Sequence, residues 1–95
     1  MNDLMEKASH VAKILKNLSH PKRLILMCEL SQESLNVSQL QSRVQLGQSS
    51  TSQILKGLTD QGLIDYEQRG KERFYFLKDE KIRTLIESLY DIYCK

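Results

Sequence analysis

The sequence contains no tryptophan, one proline, four glycines and two cysteines, and its aromatic residues are four tyrosines and two phenylalanines. Each scarcity excludes something. So few prolines and glycines leave no linker or low-complexity segment and favour helices. The two cysteines form no C-x-x-C pair, and no histidine stands at zinc-ligand spacing from either. No apolar run approaches the roughly 20 residues that a membrane span requires. No charge excess points to a partner either, because 14 Lys+Arg against 12 Asp+Glu leave a net charge of +2. The opening stretch, Met1 to Lys7, has neither the basic region nor the apolar core of a secretory signal. The expected location is the cytoplasm, where two distant thiols ordinarily stay unpaired.

What remains is a soluble mixture, 40% hydrophobic over 95 residues, with a mean hydropathy of −0.44. That length accommodates one domain, expected to span residues 1–95. A domain this small buries little apolar surface, so part of that surface is expected to belong to a partner chain.

The first helix is predicted over about 3–17. Leu4, Ala8, Val11, Leu15 and Leu18 recur at spacings of four and three, a heptad-like stripe that leaves Glu6, Lys7, Lys13 and Lys16 off it. Ser19 is the expected N-cap of a second helix over about 20–31, with Pro21 in its first turn. That helix carries Leu24, Ile25, Met27, Cys28 and Leu30. Asn36 caps a short third helix, about 37–44, with Val37, Leu40 and Val44 inward. A tight turn follows, in which Gly47 is expected to take the unusual dihedrals. The fourth helix, about 49–61, faces inward with Thr51, Leu55 and Leu58 and stops at Gly62. Two β-rich runs, Leu63 to Gln68 and Arg73 to Leu77, flank Arg69-Gly70-Lys71-Glu72 and read as one hairpin spanning 63–77. Asp79 caps a last helix over about 80–94, with Ile82, Leu85, Ile86, Leu89, Ile92 and Tyr93 at near-heptad spacing.

The predicted fold is therefore mainly α with one β-hairpin, in the order α-α-α-α-β-β-α. Two short helices joined by a glycine-containing turn over 37–61 form a helix-turn-helix, and the hairpin behind them is a wing. The outer face of the fourth helix presents Gln48, Ser49, Ser50, Ser52, Gln53 and Lys56, with no acid before Asp60. Short hydroxyl and amide side chains approach base edges closely, and glutamine can make a two-point contact to adenine. Arg69, Lys71 and Arg73 crowd the hairpin tip, and Lys22 and Arg23 open an earlier helix. Each can neutralise a phosphate. The plainer alternative is a solvated polar face beside a soluble hairpin tip, diluted by Glu67 and Glu72.

Along essentially its whole length the chain resembles the ArsR/SmtB family of winged helix-turn-helix bacterial repressors. The matching stretches are Leu18-Ser19-His20-Pro21-Lys22-Arg23-Leu24, the run from Leu46 to Leu58, Gly62-Leu63-Ile64, Arg69-Gly70-Lys71 and Tyr75-Phe76-Leu77. One departure is Ile54, where many members carry a histidine. The resemblance implies a homodimer through the first and last helices, in agreement with the two apolar stripes. Such a dimer faces double-stranded DNA carrying an inverted repeat, with its reading helices about 34 Å apart.

Many members of that family sense metals. Here Leu35 to Gln39 lacks the cysteines of one metal site. The last helix offers Asp79, Glu80, Glu87 and Asp91 but no histidine, and His10 and His20 are the only imidazoles. No metal and no cofactor is expected. Cys28 and Cys94 are left. Taken alone, Cys28 reads as a small buried apolar residue and Cys94 as an inert terminal thiol. The family's persulfide-responsive branch, the BigR, SqrR and HlyU type, carries one cysteine in the second helix and one near the end of the last. Met27-Cys28-Glu29 and Tyr90-Asp91-Ile92-Tyr93-Cys94 match both places. The resemblance thus implies a redox-sensing pair, Cys28 and Cys94, answering to reactive sulfur species or oxidants. The alternatives are a regulator of the same type without thiol sensing, or a protein-interaction module that does not bind DNA. An enzyme is not expected, since no acid, base and nucleophile converge.

Overall fold

The computed structural model describes residues 2–94. Helix α1 (Asn2–Leu18) ends where the Ser19 hydroxyl donates to the Lys16 carbonyl at 2.7 Å. Ser19 therefore closes the first helix and does not cap the second. His20 takes the N-cap position of α2 (Pro21–Gln32) with no side-chain bond, and Pro21 occupies the first turn. Proline suits that place because its missing N–H has no intrahelical partner there.

A two-residue strand, β1 (Leu35–Asn36), follows and has no counterpart in the sequence reading. Leu35 pairs with Tyr75 and Asn36 with Phe74. Helix α3 (Val37–Val44) begins with a full capping box: Asn36 accepts from the Gln39 N–H at 2.8 Å while the Gln39 side chain accepts from the Asn36 N–H at 2.9 Å. Lys22 Nζ donates to the Val44 carbonyl at 2.9 Å and so satisfies the other end of α3.

Helix α4 is Gln48–Asp60. In the turn before it the expected roles are exchanged: Gln45 holds the left-handed conformation at φ 57°, while Gly47 sits at an ordinary φ of −70° as the N-cap. The Thr51 hydroxyl reaches back to the Gly47 carbonyl at 2.9 Å, which satisfies a polar group that is otherwise fully buried. Gly62, at φ 76°, lets the chain leave α4 for the hairpin.

Strands β2 (Ile64–Arg69) and β3 (Glu72–Leu77) run antiparallel from Ile64 opposite Leu77 to Arg69 opposite Glu72, and β1 completes a sheet of order β1-β3-β2. Asp79 caps α5 (Glu80–Tyr93) by accepting from the Ile82 N–H at 2.9 Å. The core joins Leu26, Met27 and Leu30 of α2 with Leu40, Leu55, Leu58, Leu35, Ile64 and Ile86.

Two stripes diverge from that core. On α1 only Ile14 and Leu18 reach it, while Leu4 (70% exposed), Met5, Val11 and Leu15 face solvent. On α5 the stripe divides. Ile82 and Ile86 are buried within the chain's own core, whereas Ile92 and Tyr93 are 68% and 80% exposed. The last helix therefore serves two surfaces, where its sequence stripe reads as one.

Candidate nucleic-acid interface and thiol pair

The inward set Thr51, Leu55 and Leu58 orients α4, and all three are buried as expected. At about 100° per residue, Ser49, Gln53, Lys56 and Asp60 then run along the middle of the exposed face. Gln48 and Ser52 turn toward the hairpin, and Ser50 toward the opposite flank. All of Gln48, Ser49, Ser50, Ser52, Gln53 and Lys56 are exposed. Lys56 shares its charge with Asp60 at 3.1 Å, an exposed i,i+4 pair that holds it only weakly.

The hairpin divides the cations expected at its tip. Because Gly70 and Lys71 alone separate the strands, Arg69 pairs with Glu72 and Gln68 with Arg73. Cross-strand partners share a face and neighbours along a strand alternate. Arg69 thus lies on the face of Glu67 and Phe74, and Arg73 on the face of Tyr66 and Tyr75. Arg69 Nε donates to Glu67 at 3.0 Å, and its guanidinium stands 4.5 Å above the Phe74 ring. Arg73 lies 4.2 Å above the centre of the Tyr66 ring, which packs on Tyr75 with ring centres 5.5 Å apart.

A groove of about 540 Å³ runs between the helix-turn-helix and the wing, lined among others by Ser38 of α3, Ser52 of α4, and Gln68, Lys71 and Arg73 of the hairpin. Lys71 and Arg73 give its wing side a positive character, moderated by Glu72, which accepts from Asn36 at 3.3 Å. A second groove, which Arg73 also lines, reaches Lys56, Asp60 and Tyr66. Of the predicted site residues, Ser52, Lys56, Lys71 and Arg73 therefore converge. Gln48, Ser49, Ser50 and Gln53 extend along α4, and Arg69 faces away. Neither Tyr66 nor Tyr75 is among the predicted site residues, although the alternation of the hairpin places both beside Arg73 once its turn length is known.

The cysteines stand on elements that pack together. Helix α5 lies against α2, tied to it where Arg83 donates to the Ser31 carbonyl at 2.7 Å; the Ser31 hydroxyl donates to the Cys28 carbonyl at 2.6 Å. Cys28 is half-buried and Cys94 exposed, and both are free thiols. Burial pushes the Cys28 pKa up, and the neighbouring Cys94 and Glu29 add to the shift. Cys28 is thus held as a thiol, the less reactive form. The packing of α5 on α2 thus brings two thiols 66 positions apart into one neighbourhood. Among the described residues no three His, Cys, Asp or Glu side chains are grouped to hold a metal ion. No helix among them is long and apolar enough to cross a membrane.

Residues 20–66, from the start of α2 into the wing, match the model of the family described as bacterial regulatory protein, arsR family. The biofilm growth-associated repressor of Agrobacterium fabrum is 42% identical over 95% of this chain and 78% of its own length. The Vibrio cholerae protein HlyU, named a transcriptional activator, is 36% identical over 96% of this chain and 85% of its own. The structure of its reduced form superposes with a TM-score of 0.94 over the full length of both chains, at 29% identity. The transcriptional repressor BigR from Xylella fastidiosa gives a TM-score of 0.88 at 36% identity, covering 98% of this chain and 92% of the other.

Proposed function

The chain belongs to the arsR family of bacterial regulatory proteins, and from that premise we propose that it is a cytoplasmic, homodimeric repressor reading an inverted repeat in double-stranded DNA. The observation that carries this reading is the groove between α4 and the wing. It brings Ser38 and Ser52 of the helix-turn-helix beside Lys71 and Arg73, so that the edge of the α4 polar face meets cations suited to phosphates. Dimerisation is supported by the apolar residues left exposed on α1 and on the far half of α5. Large apolar side chains exposed in groups are a usual mark of an interface.

DNA release is proposed to follow modification of Cys28 and Cys94. A persulfide donor RSSH passes its outer sulfur to the exposed Cys94, and RSH leaves. The Cys28 thiolate then attacks the sulfur bonded to Cys94 Cβ, forming a disulfide and expelling hydrosulfide; a further sulfur transfer yields a longer bridge. The two-electron oxidant is the donor itself. The packing of α5, whose C-cap is Cys94, against α2, which carries Cys28, supports this scheme. The raised pKa of Cys28 favours the second reading, a regulator of the same family without thiol sensing.

Operator binding by wild type, Cys28→Ser and Cys94→Ser, with and without a persulfide donor, separates the two. Release of wild type alone, with a Cys28–Cys94 cross-linked peptide in its mass spectrum, is the expected result. Equal release of all three, or none, refutes the switch and leaves the DNA-binding reading standing. That reading has its own test. Gln53→Ala is expected to cost about 1–3 kcal/mol at one base position, and a uniform loss across sequences would show that α4 does not read bases there.

A further inference from the structure

Both wing arginines stand over a ring, Arg69 over Phe74 and Arg73 over Tyr66, but on opposite faces of the hairpin and with different charge partners. Arg69 shares its charge with Glu67 in an exposed 3.0 Å pair and lies on the face away from α4. Arg73 has no carboxylate partner among the described residues; it is set on an aromatic platform, 4.2 Å above Tyr66, whose ring rests on the nearly buried Tyr75. Tyr75 is in turn anchored from the other side by its pairing with Leu35 in β1. The platform is thus continuous with the core, and Arg73 is the one arginine that lines both grooves between wing and reading helix.

An unpaired arginine on an exposed hairpin has several free torsions and loses them on binding a phosphate. A ring that already holds the guanidinium removes part of that loss.

We propose that Tyr66 is a positioning residue for DNA binding: its ring, backed by Tyr75, holds the Arg73 guanidinium toward α4 so that wing and reading helix meet the duplex as one preset surface. The contact to Tyr66 uses the ring face and not its phenol, whereas the Tyr75 hydroxyl also bears on the guanidinium. This role rests on the DNA-binding reading above and adds to it the means by which the wing's cation is oriented. Arg69 contributes little to the same surface.

The test is a double-mutant cycle in the full-length protein on its operator duplex, followed as affinity against salt concentration. Arg73→Ala is expected to reduce the salt slope by roughly two on the paired operator, the signature of one lost phosphate contact per subunit. Tyr66→Leu is expected to weaken binding by about two- to fivefold per subunit, the weight of one exposed cation–π contact, and so by about 4- to 25-fold on the paired operator. In the Arg73→Ala background the same change should have no effect, and Tyr66→Phe should restore wild-type affinity. Equal losses from Tyr66→Leu in both backgrounds, or a Tyr66→Phe variant as weak as Tyr66→Leu, overturn the proposal while the DNA-binding reading survives. Failure of wild type to bind any duplex overturns both. Should Tyr66→Leu fold poorly, the Arg73 side-chain protons of the free wild type decide by NMR. An upfield ring-current shift retained in Tyr66→Phe supports the platform, and random-coil positions refute it.

Discussion

The division of α5 into a core half and an exposed half makes a quantitative prediction about assembly. Ile92 is 68% exposed, and Ile86, six residues earlier, is fully buried. Ile92→Ala removes about three methylene equivalents, each worth about 0.8 kcal/mol when withdrawn from water. If a second copy covers the exposed two thirds of the side chain, the loss is about 1.6 kcal/mol per subunit. A two-fold interface contains the residue twice, so dimerisation weakens by about 3 kcal/mol, or roughly 200-fold in Kd. Ile86→Ala differs in kind: it opens a cavity within the chain and is expected to cost about 2–5 kcal/mol of folding stability. Sedimentation equilibrium reads the first effect, and thermal melting extrapolated to low protein concentration reads the second. An Ile92→Ala protein that self-associates like wild type would refute the assignment of this surface to a second copy. A large fall in its concentration-independent melting temperature would place Ile92 in the core, against the structure.

Three further outcomes are expected. Arg83→Ala removes a charge-assisted bond from α5 to the Ser31 carbonyl of α2 and should lower stability by about 1.5–3 kcal/mol, as measured by urea denaturation. Gln45→Gly relieves the left-handed conformation at φ 57° and should raise stability by about 0.5–1 kcal/mol; a destabilised variant would contradict the turn geometry. Cys94 should be alkylated by iodoacetamide before Cys28 at neutral pH. Burial, with Cys94 and Glu29 adding to it, raises the Cys28 pKa and lowers its thiolate fraction, so its rate should continue to climb at alkaline pH after that of an ordinary thiol has levelled.

Local chemistry made much of this fold legible. Asn36 with Gln39, and Asp79 ahead of Ile82, are caps whose partners lie three residues away, and both form as read. The burial of Thr51, Leu55 and Leu58 follows from helical period alone. What escaped depends on distant partners. Strand β1 is only two residues long and exists because Tyr75, 40 positions later, supplies its ladder. The exchange between Gln45 and Gly47 went unread because composition identifies the residue that tolerates a left-handed turn, and the path from α3 into α4 selects the residue that must adopt it. The split of Arg69 from Arg73 follows from a two-residue hairpin loop, whereas a reading with a four-residue turn leaves their faces undefined. At the site, the exposed polar face of α4 was legible residue by residue. The aromatic platform beneath Arg73 was not, because neither tyrosine carries a sign of its role until the strands are in register.

The same geometry bears on where a thiol bridge would act. Cys28 lies in the middle of α2, and α2 is fixed to the helix-turn-helix by Lys22 on the Val44 carbonyl and by Arg43 of α3, which reaches Glu29 at 3.5 Å and Glu33 at 3.1 Å. These ties, with Leu26, Met27 and Leu30 buried beneath them, leave α2 little freedom to yield. Beyond Ile86, α5 has no fully buried residue to hold it. A bridge drawing Cys94 onto Cys28 would therefore move the end of α5 and leave α2 in place. That end carries the exposed Ile92 and Tyr93, which the proposed dimer would cover. In the proposed dimer the strain of such a bridge would thus fall on the spacing of two reading heads, while each head would keep its fold. An inverted repeat is sensitive to that spacing and a single half-site is not. Oxidised protein should accordingly lose the paired operator while retaining its weak affinity for an isolated half-site, and equal loss of both would locate the change inside the helix-turn-helix instead.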